Sequence, residues 1–196
     1  MPVTYTNRKG HMYYLCQGLT KTGKLRYYFA RQPIEGSPDQ IPEGYCISES
    51  VNGIVSLVKD RPQLILPQEI ASVEAVLARH PKSRDYRVAV PKNRIVIYEM
   101  LGPDTGTMSA IFGKISAFQL DTVELRLQAQ MDKMARFSPV LRFILIDPEE
   151  RNFYAESWSY MGDIDDWIEI GESGKLEKLA HRLIPKLGTD DFFELL

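Results

Sequence analysis

Acidic residues are missing from the first 31 positions of this 196-residue chain, and it holds only two cysteines and three histidines. Apolar runs such as Phe143–Ile146 fall far short of the roughly 20 residues a bilayer-crossing helix needs, so no membrane span is expected. Cys16 and Cys46 each sit inside a strand-like run and make no CxxC pair. Of the histidines only His11 is close to either, which leaves no zinc-ligand spacing and no metal or cofactor expectation. Met1-Pro2-Val3-Thr4-Tyr5 lacks the apolar core of a signal peptide, so a cytoplasmic protein with reduced thiols is expected. Glycine (13) and proline (12) are at ordinary levels, which excludes collagen-like and low-complexity chains. The 44% hydrophobic content is enough to build a core.

The net charge of −2 conceals a polar layout. Residues 1–31 carry Arg8, Lys9, Lys21, Lys24, Arg26 and Arg31 for a charge of +6, residues 32–146 balance, and residues 147–196 carry −8. Where one sign dominates a surface, potentials of several kT steer partners of the opposite sign.

The basic end has the clearest pattern. Met12–Cys16 and Leu25–Phe29 are rich in residues that favour strands, and Gln17–Lys24 between them contains Gly18 and Gly23. A β-hairpin turning near Thr22-Gly23 is predicted. It displays Tyr13, Tyr14, Tyr27, Tyr28 and Phe29, with Tyr5 upstream and cations interleaved. Gly18–Lys24 matches G-x-x-x-x-G-K, but Leu25 follows where a phosphate-binding loop needs Ser or Thr, and a strand follows where it needs a helix. Two readings stay open. The aromatics form a core face with solvated cations opposite, or Arg8, Lys9, Lys21, Lys24, Arg26, Tyr27 and Arg31 contact nucleic acid or another polyanion through phosphate neutralisation and base stacking.

The middle reads as scaffold. A Pro/Gly-rich loop at 34–44 precedes strands at Tyr45–Ile47 and Ile54–Val58 around Asn52-Gly53, and a helix is predicted over 68–79, where Ile70, Val73, Val76 and Leu77 recur at helical spacing. Tyr86–Val90 and Arg94–Tyr98 form another hairpin. Residues 101–107 are the candidate boundary between a hairpin-rich region (1–100, with the basic aromatic hairpin at 1–33) and an acidic region (101–196), unless the chain is a single domain. Residues 121–136 carry a strand-like alternation, but a helical stripe from Leu120 to Phe137 covers more of the segment and predicts a helix. Val140–Asp147 and Asn152–Tyr160 are predicted strands, the second burying Tyr154, Trp158 and Tyr160 against helices. A last helix carries Leu176, Leu179, Leu183 and Leu187. Because strand follows strand without helical crossovers, the predicted fold is α+β, with successive antiparallel β-hairpins and about three to four packed helices.

Asp163, Asp165, Asp166 and Glu169 crowd one segment, yet Ile168 and Gly174 stand where a calcium loop needs Gly and Glu. A solvated turn is the simpler reading. The acidic region is also a candidate protein-interaction surface, meeting the basic hairpin of its own or a neighbouring copy.

Asn7-Arg8-Lys9-Gly10, Tyr13-Tyr14-Leu15, Thr20–Lys24 with Arg26–Phe29, Pro42–Tyr45, Pro139–Phe143 and Asp165-Asp166-Trp167 together resemble a group of uncharacterised prokaryotic proteins. The resemblance implies a shared fold and no mechanism, so no catalytic residue is carried over. No nucleophile signature surrounds Cys16 or Cys46, and the expectation is a non-enzymatic binding protein.

Overall fold

The computed structural model describes residues 1–102, 133–161 and 164–194. The chain divides into two compact units, Met1–Arg61 with Phe118–Ala135, and Pro62–Ala117 with Arg136–Leu196. From position 103 onward the expected boundary stretch lies outside the described residues, as does the helix expected over 121–136 apart from its last few positions.

In the first unit, Thr4–Thr6 (β1), Met12–Leu19 (β2) and Leu25–Ala30 (β3) form a three-stranded antiparallel sheet, and Tyr45–Glu49 (β4) pairs with Val55–Lys59 (β5). The β4–β5 turn needs its glycine, because Gly53 has φ +77° and a Cβ there would lie 3.1 Å from Asn7 Nδ2. Asn7, 4% exposed, donates from Nδ2 to Gly53 O at 2.6 Å, while its Oδ1 accepts the Lys9 and His11 N–H groups at 3.1 and 2.9 Å. One buried amide thus ties the β1–β2 turn to the β4–β5 turn.

In the second unit, Pro67–Leu77 (α1) precedes Tyr86–Ala89 (β6), Arg94–Leu101 (β7), Arg136–Asp147 (β8), Asn152–Met161 (β9) and Ile164–Glu169 (β10). The strands make one antiparallel sheet ordered β10-β9-β8-β7-β6, followed by Leu176–Leu183 (α2) and Asp190–Phe193 (α3). The α+β expectation with three to four packed helices is therefore corrected. Among the described residues the protein is mostly β, with ten strands in three antiparallel sheets and three short helices. The physical reason is visible in β8 and β9, 12 and 10 residues long, whose alternation buries Leu141, Phe143 and Leu145 of the one and Phe153, Ala155 and Ser157 of the other on a single face. The segment expected to stay helical to position 136 is already strand at Arg136.

The core lies on one face of the five-stranded sheet. Ile95, Ile97, Leu141, Phe143 and Phe153 are fully buried against Val73 of α1 and Leu179 and Leu183 of α2. Two irregularities hold this pattern in place. Between Ile97 and Tyr98 the β8 register steps from Leu141 to Pro139, so Val140 is extra and the proline, which has no N–H, sits beside the bulge. Near the β8–β9 turn Leu145 faces Phe153 and Asp147 faces Asn152, which leaves Ile146 unpaired and 51% exposed.

The expectation that Tyr154 and Trp158 of β9 pack on the helices is also corrected. The helix side of β9 carries Phe153, Ala155 and Ser157, at 0–1% exposure, and the small residues face bulky Phe143 and Leu141 across the ladder. Small side chains there let α2 approach β9, where its Ala180 is fully buried. Trp158 lies on the opposite face, edge-on to Trp167 of β10 at 5.2 Å, and the Arg142 guanidinium stacks 4.0 Å from the Trp167 ring while ion-pairing with Glu156. This cluster fastens the edge strand β10 to the sheet.

A second brace holds α1. Glu69 accepts the Leu66 N–H at 2.8 Å at the helix N-terminus and forms a two-pronged ion pair with Arg151 of the β8–β9 turn, which also reaches Leu64 O at 3.2 Å. Among the described residues no helix is long and apolar enough to cross a membrane.

Removing the Phe143 ring should leave a cavity at the sheet–helix interface, so Phe143→Ala should cost about 3–5 kcal/mol in urea-induced unfolding. Tyr86, which donates to Glu99 Oε1 at 3.0 Å, has its hydroxyl pushed well above the ordinary tyrosine range by burial first and the Glu99 charge second. Tyrosine in the unfolded chain ionises near pH ~10. The Tyr86 contribution is therefore whole below that pH and is lost progressively as pH climbs above it. Unfolding titrations across this range should show a shallower alkaline loss of stability in Tyr86→Phe than in the wild type.

Candidate nucleic-acid interface

The β2–β3 hairpin of the first unit carries most of the residues singled out for polyanion contact. Its turn is fastened by the Thr20 N–H to Lys24 O bond (2.8 Å), the Gly23 N–H to Thr20 O bond (2.9 Å) and the Lys24 N–H to Thr20 Oγ1 bond (3.0 Å). Gly23 supplies the positive φ, +75°, that this turn requires. Lys21 and Lys24 are held exposed on a preformed loop.

One rung further in, Gly18 faces Arg26. The Tyr28 ring lies beside Gly18, 3.5 Å from where a Cβ there would be, and the exposed Arg26 guanidinium lies over that ring at 5.1 Å. Lys21, Lys24 and Arg26 therefore gather at one end of the ribbon. Arg31 belongs to the other end, just past the Tyr14–Ala30 rung, roughly 17 Å along the strand from Arg26 at strand rise. It is exposed, 3.3 Å from His11 Nδ1 and 5.8 Å from the Tyr13 ring centre.

The remaining members of the set have internal partners. The Arg8 N–H donates to Glu49 Oε1 at 2.8 Å and its guanidinium to Ala135 O at 3.1 Å. The Lys9 stem lies against the Gly53 turn, with Cγ 3.3 Å from where a Cβ would stand. Tyr27 packs edge-on against Tyr45, with ring centres 6.1 Å apart. Tyr5 donates to Glu49 Oε2 at 2.9 Å, a bond to a carboxylate that raises its hydroxyl above the ordinary range.

Alternation across the ladder explains this division. Tyr5, Tyr13 and Leu15 share one face with Tyr27 and Phe29, whereas Tyr14, Cys16, Tyr28 and Arg26 share the other. No protein-family model, curated protein or solved structure matches the chain.

The acidic segment offers less. Asp163 lies outside the described residues, and Asp165, Asp166 and Glu169 are exposed along β10. Asp166 Oδ1 accepts the Trp167 N–H at 2.7 Å, so one carboxylate occupies a backbone donor of the edge strand. Among the described residues no group of three or more His, Cys, Asp or Glu side chains is placed to hold a metal ion. Cys16 is fully buried, with its thiol 3.5 Å from Tyr14 O and 3.7 Å from Ser37 Oγ.

The residues that sequence reasoning passed over are Leu19 and Leu25. They face each other on the last rung of the hairpin at 70% and 55% exposure. Their position flanking the predicted turn was the available signal.

Lys21→Glu/Lys24→Glu touches only solvated side chains, so it should leave unfolding free energy within about 0.5 kcal/mol of wild type. Tyr27→Ala removes a ring packed between sheets and should cost about 1–3 kcal/mol in the same urea titration.

Proposed function

We propose that the protein is a non-enzymatic binder that contacts nucleic acid through the phosphates, using the β2–β3 hairpin. The observation that carries this reading is the exposure of Lys21, Lys24 and Arg26 around one preformed turn, on a ribbon without a single acidic residue. A fixed loop presents its cations without the ordering cost that a flexible one would have on binding. Arg31, exposed just past the end of β3, adds a further cation roughly 17 Å from Arg26. The acidic residues elsewhere in the chain repel such a partner and confine the contact to this end.

Because Tyr27 packs on Tyr45 and Tyr28 lies beneath Arg26, the contact rests on cations and not on base stacking. The expected consequences are little sequence preference and no marked advantage of single strands over duplex. A cytoplasmic setting, in which Cys16 and Cys46 remain thiols, fits the same reading.

Fluorescence anisotropy with labelled single- and double-stranded oligonucleotides tests it. Binding by Lys21, Lys24, Arg26 and Arg31 should give a slope of log K against log salt of about −2 to −4. Lys21→Glu/Lys24→Glu should abolish most of it. An absence of binding at micromolar protein in ~50 mM salt, where weak non-specific contacts register, would defeat the proposal.

A further inference from the structure

We infer that Leu19 and Leu25 form an apolar wedge with which the hairpin enters a groove of duplex DNA and bends it, an inference that rests on the phosphate contact proposed above. The two leucines close the β2–β3 ladder as a directly opposed pair, at 70% and 55% exposure. Opposed residues on an antiparallel pair project from the same face with Cβ atoms about 5 Å apart. They make one apolar ledge. Single exposed leucines are ordinary on protein surfaces, but this pair adjoins the exposed Lys21 and Lys24 of the turn, while Arg26 of the next rung projects to the opposite face.

The partner of such a tip must offer apolar ground within one or two residues of negative charge. A base-pair stack between its two phosphate strands has that layout, and apolar side chains such as Leu inserted between base steps unstack and kink the duplex. The ledge is rigidly aimed. The Gln17–Tyr27 rung behind it shares its face and is anchored by the Tyr27–Tyr45 contact, and the turn ahead of it is closed by the bonds to Thr20. An anionic bilayer surface also joins apolar and negative chemistry. Arg31, however, lies over the Tyr13 ring on the same face as the leucines, roughly 20 Å from Leu25 at strand rise, which favours a ribbon lying along a linear partner over a tip plunging into a plane.

The test uses the full chain and a short duplex with a fluorophore at each end and a central TA step, the kind of step that unstacks most readily. Energy transfer should rise on binding, corresponding to a bend of about 20–90°. Leu19→Ser/Leu25→Ser, with Leu25→Ser alone as a milder variant, should still bind with the wild-type salt dependence yet leave the duplex straight. Lys21→Glu/Lys24→Glu should weaken binding by about tenfold or more. Circular dichroism shows that each variant compared is folded. Wild-type binding without bending, or bending by the serine variant equal to wild type, overturns the wedge while leaving the phosphate contact standing. Full binding by the Lys→Glu variant overturns the phosphate contact itself. Leucine-dependent capture by phosphatidylserine vesicles with no change in the labelled duplex overturns both in favour of a bilayer.

Discussion

The register of β8 between β7 and β9 is the constraint on which the second unit depends. Side chains alternate along a strand with period two, so a one-residue slip would send Leu141, Phe143 and Leu145 to the open face and bring Arg142 and Ile144 against α1 and α2. Burying Arg142 there would strip it of both Glu156 and the Trp167 ring. The two bulges serve this register. Each takes up one residue, Val140 or Ile146, that a regular ladder would have forced to shift everything beyond it.

The first unit applies the same alternation with a different outcome. Its sheets are short, and among its described residues few are buried besides Leu15, Cys16, Val55 and Asn7. Specific bonds supplement the small core. Asn7 joins two turns, and Glu49 receives both Tyr5 and the Arg8 backbone. Tyr27 is committed to Tyr45 and Tyr5 to Glu49, whereas Lys21 and Lys24 at the turn are exposed. Along one hairpin, the inner rungs carry the buried Leu15 and Cys16, and the Leu19–Leu25 rung faces solvent.

Much of the local structure was legible. The hairpin turn near Gly23, the Asn52-Gly53 turn, the hairpin about Pro91–Asn93 and the helix after Pro67 all follow from turn chemistry and spacing, because those features are decided within a few residues. The balance of helix to strand was not legible, because how far a strand such as β8 stays paired is set by β7 and β9 and not by its own pattern. The sidedness of β9 was misread for a related reason. Size suggested that Tyr154 and Trp158 belong in the core, but the space beside Phe143 and Leu141 was already filled and accepted only Ala155 and Ser157.

For the candidate interface, composition alone determined that the cations and aromatics share the first 31 residues and that no acid lies among them. Charge is a property of the chain, and no packing alters it. Which of those residues face outward was decided only by tertiary structure. Pairing across β2 and β3 turned Tyr27 toward Tyr45, placed Arg26 over Tyr28 and left Leu19 and Leu25 exposed on the last rung. Strand register and the position of the facing sheet are long-range facts, set by residues as distant as Tyr45 and Gly53, and no local pattern encodes them.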